Sequence, residues 1–86
     1  MIDEICLSLG WDKGKILGKD RHKDLCSQRR LICKYLLSHG FSYHQVGTII
    51  NRHHTTAVHY KNDLLTKEEQ KMYETLLMKL DGQGKA

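Results

Sequence analysis

Apolar residues recur at intervals of three and four positions along most of this chain, and no proline interrupts the pattern. That spacing places them along one face of an α-helix, so the chain is predicted to be all-α. A first apolar stripe stops at Gly10 and consists of Ile2, Ile5, Cys6 and Leu9. We expect about five helices and, between residues 11 and 20, a loop that holds one further helical turn.

The second stripe covers residues 25–36, and Gly40 follows it at a position where glycine commonly ends a helix. Arg29, Arg30 and Lys34 fill positions between the apolar residues. A solvated helix face is therefore expected for these cations, and for Arg30 a phosphate contact is an equal alternative.

Two helices separated by a very short turn are predicted next. Ser42 lies three residues before Gln45, which is the spacing of a capping box, so one helix begins directly after Ser42. It is expected to end near Asn51, a residue that tolerates the left-handed conformation. Gly47 in its middle costs about 1 kcal/mol relative to alanine, which indicates a close approach to the following helix, with Ala57 as the facing residue. So short a connection predicts a helix-turn-helix unit.

The following helix is expected to start near His53 and to bury an inner side made of Ala57, Val58, Tyr60, Leu64 and Leu65. Thr66 and Glu69 form a second capping box, which starts the last helix. Gly82 is expected to end that helix, whose stripe comprises Met72, Tyr73, Leu76, Leu77 and Leu80. Residues 1–86 are assigned to one domain. Within it, residues 1–22 hold the first helix and a basic loop, 23–65 the core with the helix-turn-helix, and 66–81 the last helix.

The charge distribution indicates an anionic partner. No aspartate or glutamate occurs between Leu25 and Asn62, and five of the six histidines lie in that window. The cations of the window are Arg29, Arg30, Lys34, Arg52 and Lys61. Because both flanks are nearly balanced, the net charge of +4 is concentrated in this segment. A basic face of this kind suits a polyanion.

Three cysteines, Cys6, Cys26 and Cys33, form an odd set without paired spacing and are expected to be small buried hydrophobic residues. The sequence shows no signal peptide and no apolar run near the ~20 residues that a membrane span requires. A cytoplasmic location without membrane attachment is therefore expected.

In a helix-turn-helix the second helix presents its first turn to the major groove of DNA. Here the residues of that turn are Arg52, His53, His54, Thr55 and Thr56. Arginine pairs bidentately with guanine, histidine donates to or accepts from base edges, and threonine offers a hydroxyl and a methyl group. The N-terminus of a helix also directs free N–H groups toward phosphate. These residues are therefore predicted to bind double-stranded DNA.

The same residues carry a resemblance to a known family. Residues 52–59, Arg-His-His-Thr-Thr-Ala-Val-His, resemble the Gly-Arg-Asp-His-Thr-Thr-Val signature of the C-terminal DNA-binding domain (domain IV) of the replication initiator DnaA. Residues 16–21, Ile-Leu-Gly-Lys-Asp-Arg, are similar to that family's Leu-Leu-Ser-Lys-x-Arg stretch. Residues 30–36 and 42–47 also resemble its segments. The resemblance covers about residues 2–65.

The resemblance implies a small, Trp-repressor-like helical bundle with a nucleoid-associated role in DNA replication initiation, origin binding or transcription regulation. It also implies that the major groove is contacted by Arg52, His54, Thr55 and Thr56. Arg21 would lie in a loop that reaches the minor groove, and Arg30 and His44 would hold phosphates. Lys61 is a further expected phosphate contact, whereas Tyr43 either touches phosphate or covers the edge of the core.

Four departures from the family pattern occur in this sequence, one of which is a short loop before Ser42. His53 stands where the family has an acidic residue, Ala57 is inserted before the valine, and the usual Gly-Gly turn is shortened to Asn51. Duplex DNA, rather than the family's own recognition sequence, is therefore the expected partner.

Other functions receive little support from the sequence. No glycine-rich Gly-Lys-Ser/Thr phosphate loop is present, so ATP-driven origin melting is not expected. The acids avoid the histidine-rich window, and His54 and His59 are five residues apart rather than four, so neither an enzyme nor a metal site is expected. We expect no cofactor and no small-molecule substrate. The alternative is a protein-interaction module or accessory factor that uses the basic face or the last helix, with weak self-association through that helix.

Overall fold

The computed structural model describes residues 2–81 as a series of α-helices. Their bounds are α1 Ile2–Leu9, α2 Lys13–Leu17, α3 Lys23–Ser38, α4 Tyr43–Ile49, α5 His54–Asn62 and α6 Lys67–Asp81. No strand occurs within this described range, and the all-α prediction is confirmed. Gly82, the expected end of the last helix, lies outside the described residues.

The core is organised around α3, the longest of these helices. Its buried apolar residues are Leu25, Leu31, Ile32, Cys33, Tyr35 and Leu36. Each of the other helices packs at least one buried side chain against this cluster, among them Ile5, Ile16, Val46, Ala57 and Leu76. Burying such an aliphatic side chain contributes about 1.5–3 kcal/mol, so α3 serves as the common support on which the shorter helices are placed.

Left-handed residues end three of the helices at the positions that the sequence indicated. Gly10, Gly40 and Asn51 have φ angles of +69°, +90° and +58°. After α4, the amide of Arg52 donates to the carbonyl of Gly47 at 2.7 Å, and the amide of Asn51 donates to the next carbonyl at 3.2 Å. This pair of bonds is the Schellman motif, and it fixes the direction in which the chain leaves α4.

Both predicted capping boxes are present. In α4 the Ser42 hydroxyl accepts from the amide of Gln45, whose side chain accepts in return from the amide of Ser42. In α6 the Thr66 hydroxyl and the Glu69 carboxylate make the equivalent bonds, at 3.1 and 3.0 Å. These local bonds start the two helices where the sequence predicted.

The prediction for Leu64 was wrong. Its side chain is 93% exposed, whereas Leu65 is partly buried. The reason is that α5 ends at Asn62, and the amide of Asp63 caps it by donating to the carbonyls of His59 and Tyr60. Leu64 therefore lies in the connection between α5 and α6 and not on an inner helix face.

The expectation of a solvated face was also wrong for Arg29, which is only 2% exposed. Its guanidinium donates to three backbone carbonyls at the end of α2, at 2.9, 2.8 and 3.2 Å, those of Lys15, Ile16 and Gly18. The last carbonyls of a helix have no partner within the helix. Arg29 supplies that partner from the side, which explains how a cation can be buried next to the core.

The cysteines are free, and Cys6 and Cys33 are buried as expected, while Cys26 is partly buried. Burial raises the pKa of the Cys33 thiol to about 11. Among the helices of residues 2–81, none is both long and apolar enough to span a membrane.

Candidate functional site

The turn between α4 and α5 depends on Gly47. A Cβ at this position would lie 2.7 Å from the carbonyl oxygen of Arg52 and 3.1 Å from the amide nitrogen of His54. The expected close approach is thus present, but the atoms nearest to Gly47 are the backbone of residues 52–54 and not Ala57. Ala57 instead packs toward α3, where its carbonyl accepts from the Cys33 thiol at 3.5 Å.

His53 caps the N-terminus of α5. Its Nδ1 accepts from the amide of Thr55 at 3.3 Å and lies 2.9 Å from the Thr55 hydroxyl. Because Nδ1 accepts, the proton of the neutral ring is on Nε2. The helix proper begins at His54, in agreement with the predicted start near His53, and its first turn contains no acidic residue.

Three imidazole rings lie against one another at this end of α5, and we call them the histidine stack: His44, His53 and His54. The ring centroids of His44 and His54 are 4.0 Å apart, and those of His53 and His54 are 4.3 Å apart. His54 is partly exposed, and the two outer rings are exposed. Partial desolvation, followed by the neighbouring His44 and His53, lowers the pKa of His54.

Gly47 explains how residues of two helices form the stack. His44 precedes Gly47 by three residues, so both lie on the same face of α4. The close contact at Gly47 brings the backbone of His54 onto that face. The first residue of α5 is thereby placed beside the second residue of α4.

The α4–α5 turn is also bonded to the end of α2. Asn51 donates from Nδ2 to the carbonyl of Leu17 at 3.0 Å, and Arg52 donates from Nη2 to the carbonyl of Gly18. Together with Arg29, these side chains form what we call the carbonyl clasp. Partial desolvation and the nearby Arg29 lower the pKa of Arg52. The structure thus turns the guanidinium of Arg52, predicted to read the groove, toward α2.

Arg30 is engaged by two carboxylates. Its Nη1 pairs with Glu69, and its Nε pairs with Asp63 at 3.2 Å, while its guanidinium lies 5.8 Å from the ring centroid of Tyr60. Tyr60 and Asp63 lie at the C-terminal end of α5, about 12 Å along the helix from its first residue, and Glu69 lies in the first turn of α6. The charge of Arg30 is therefore balanced within the fold and lies apart from the histidine stack.

Lys61 and Tyr43 are close together at another edge of α5. The Lys61 ammonium lies 5.8 Å from the Tyr43 ring centroid, and Lys34 donates to the Lys61 carbonyl at 2.9 Å. A groove of about 440 Å³ opens here between α3 and α4 and is lined in part by Phe41.

Three further predicted residues lie elsewhere on the surface. Arg21 is exposed in the loop between α2 and α3. Of the predicted residues, Thr55 is exposed and Thr56 is partly buried beside the stack.

Two features of this region were missed in the sequence, although each had a signal. Arg29 lies four residues after Leu25 and three before Ile32, so it shares their buried face. The stack is encoded by the spacing of His44 and Gly47 together with the short turn that follows. The bonds of Asn51 to α2 had no such signal, since their acceptor lies 34 residues away.

No protein-family model and no solved structure matches the chain. The resemblance to domain IV of DnaA therefore remains a prediction from the motifs. Within residues 2–81 no group of three or more histidine, cysteine or acidic side chains is arranged to hold a metal ion.

Proposed function

We propose that this protein binds double-stranded DNA, with the first turn of α5 in the major groove. The observation that carries the proposal is the exposed, acid-free N-terminal end of α5. Thr55 is exposed there, and the histidine stack borders it. A helix end of this type attracts phosphate through the positive end of its dipole.

The proposal assigns separate tasks to the predicted residues. Thr55, Thr56 and His54 contact base edges or the adjacent phosphates, because hydroxyl and imidazole groups suit both. Lys61 and Arg21, both exposed, hold phosphates on either side. Arg52 positions α5 through the carbonyl clasp rather than reading a base, and Arg30 has to release its carboxylates before it can bind phosphate.

The cellular role proposed here follows the motif resemblance to the replication initiator family. The chain contains the residues of a DNA-reading unit and no phosphate loop for ATP. We therefore propose a nucleoid-associated protein that marks DNA sites for replication or for transcription regulation.

Salt dependence of binding tests the proposal directly. The full chain is titrated into a fluorescently labelled duplex of mixed sequence at about 50 and 200 mM salt. With about four to six phosphates neutralised, affinity is expected to fall by about 10²–10³-fold between the two conditions. Absence of binding at the lower concentration would contradict the proposal.

A threonine variant tests where the DNA lies. Thr56→Ala is expected to weaken duplex binding by about 1–3 kcal/mol, because it removes a hydroxyl from the first turn of α5. Thr75→Ala is the matched control, since Thr75 is an exposed threonine of α6. Equal affinity of the two variants would show that the first turn of α5 is not the contact surface.

Exposed apolar side chains favour a second candidate function, that of a protein-interaction module. Leu7 on α1 and Met78 on α6 are 86% and 67% exposed, and the two helices pack together. Contiguous exposed apolar surface commonly marks a contact with another protein chain, and these two side chains would contribute to such a surface. Gel filtration with and without duplex, at both salt concentrations, separates the candidates. A salt-insensitive larger species that forms without DNA would favour this second function.

A further inference from the structure

The histidine stack has a chemistry that the arginines and lysines of this surface lack. Imidazole changes its charge between about pH 5 and 8, whereas lysine and arginine stay charged throughout. The three rings come from α4 and from the N-terminal end of α5 and lie against one another with tilted planes, at centroid distances of 4.0 and 4.3 Å. The charge at this end of α5 therefore depends on how many of these rings hold a proton.

We propose that the histidine stack is a proton-dependent site for backbone phosphate, so that duplex binding is coupled to proton uptake by these imidazoles. This inference rests on the proposed function, because the phosphates are those of the bound DNA. It adds that His44 and His53, together with His54, set how strongly the duplex is held at a given pH.

In the free protein, protonation of His54 is opposed by its surroundings. Partial desolvation and the neighbouring imidazoles of His44 and His53 lower its pKa. The Nδ1 of His53 accepts from the Thr55 amide, and a protonated ring has no acceptor at that atom. Protonation of His53 thus removes the cap of α5.

The other elements packed against α5 supply no carboxylate that would favour the charged rings. The preceding turn contributes Arg52, which with Arg29 holds the carbonyls of α2. From α3, Lys34 and Arg30 reach the opposite end of α5, where Arg30 is paired with Asp63. The sequence has no acid from Leu25 to Asn62, so neither α4, nor the turn, nor α5 itself supplies a carboxylate to the stack.

A phosphate next to the stack reverses this balance. An anion within a few ångströms favours the charged imidazole, and a phosphate oxygen can replace the Nδ1 of His53 as acceptor for the first N–H groups of α5. Protons are then taken up when the duplex binds. By linkage, each proton taken up makes the affinity rise by about tenfold for each unit by which the pH falls within the titration range.

The stability of the free protein is expected to change in the opposite direction. A histidine whose pKa is lower in the folded than in the unfolded chain binds fewer protons when folded. The unfolded state is then favoured as the pH falls below the ordinary histidine pKa of about 6.5. Acidification should therefore weaken the free fold slightly while it strengthens duplex binding, and a general effect of acid would not produce this opposition.

The test measures duplex affinity of the full chain at about pH 5.5 and about pH 8, at constant ionic strength, with a labelled mixed-sequence duplex as probe. Three chains are compared: the unchanged protein, the triple variant His44→Gln, His53→Asn, His54→Gln, and the control His59→Gln. Asparagine at position 53 keeps an N-cap acceptor, and His59 is an exposed histidine of α5 outside the stack. Calorimetry in buffers of different ionisation enthalpy counts the protons taken up.

The unchanged protein and His59→Gln are expected to bind at least about tenfold more tightly at the lower pH. The triple variant should bind with nearly equal affinity at both pH values and take up almost no protons. Duplex binding by the unchanged protein without pH dependence, or pH dependence retained in the triple variant, would overturn this inference and leave the proposed function standing. No duplex binding at either pH would overturn both.

Discussion

The N-termini of α5 and α6 are built in similar ways but differ in charge. α6 is capped by Thr66, carries Glu68 and Glu69 in its first turn, and pairs Glu69 with Arg30 of α3. α5 is capped by His53 and has no acid in its first turn. Carboxylates near a helix N-terminus complement the positive end of the dipole. The N-terminus of α6 is thus complemented by carboxylates of its own first turn, whereas the first turn of α5 has none.

The net charge alone does not distinguish these two helix ends. A basic protein can have many cations that are already satisfied within the fold, as Arg29 and Arg30 are here. The exposed end of α5 differs because the described structure places no carboxylate in its first turn. The position of the charges, rather than their number, therefore distinguishes the candidate surface.

Gly47→Ala has the largest expected effect, because it disrupts the contact that places the N-terminus of α5 against α4. The new Cβ would lie 2.7 Å from the Arg52 carbonyl oxygen, so α4 and α5 must move apart. We expect a loss of about 2–3 kcal/mol in the free energy of unfolding, measured by urea denaturation. Thr48→Ala, an exposed neighbour on α4, is the control and should change stability by less than about 0.5 kcal/mol. Similar values for the two variants would mean that the close contact is not required.

Thr55→Glu gives the first turn of α5 an acidic residue, as the first turn of α6 already has. The added carboxylate should stabilise the fold by about 0.3–1 kcal/mol through the helix dipole. It should also weaken duplex binding by about tenfold, or about 1.4 kcal/mol, because it repels phosphate. Thermal denaturation and duplex titration measure the two effects, with Thr55→Gln as the neutral control. A glutamate variant that binds DNA as well as the glutamine variant would argue against the proposed interface.

Glu69→Gln removes the carboxylate charge that pairs with Arg30. It keeps the capping box of α6, because the glutamine amide oxygen can still accept from the Thr66 amide. Burial alone would raise the pKa of Glu69, but hydrogen bonds from Thr66 and Ser27 and the charge of Arg30 lower it. The folded state therefore binds fewer protons than the unfolded state, and the charge stabilises the fold above the ordinary glutamate pKa. We expect a loss of about 1 kcal/mol at neutral pH.

The pH dependence of that variant supplies its check. The stability difference between the unchanged protein and Glu69→Gln should be complete above about pH 4.3 and should vanish as the pH falls through the lowered pKa of Glu69. Glu68→Gln is the control, because Glu68 is exposed in the same turn. A difference that stays constant down to strongly acidic pH would show that the carboxylate charge contributes nothing.

The helix ends could be predicted from the sequence because the forces that set them are local. The box of Ser42 and Gln45 and the left-handed residues Gly40 and Asn51 act within a few positions of themselves. The end of α5 was missed for a related reason. Leu64 continues an apolar spacing, but the capping bonds of Asp63 compete with it and end the helix first.

The partners of the charged residues could not be predicted in the same way. Arg30 pairs with Glu69 across 39 residues of sequence, and Arg29 binds carbonyls 11 to 14 residues earlier. Residues so far apart in the sequence come into contact only when whole helices pack together. For the candidate site, the residue types around His54 and Thr55 were visible in the sequence, while their ring stacking required the three-dimensional approach at Gly47.

The carbonyl clasp has a practical consequence for handling the protein. Dissolved ions screen exposed charges but hardly affect a guanidinium that is shut away from water and bonded to neutral oxygens, as Arg29 is. A high salt concentration should therefore release nucleic acid bound in the proposed way, while the guanidinium of Arg29 keeps the end of α2 bonded to α3. After dialysis to low salt, the protein should regain the proposed duplex binding without a refolding step.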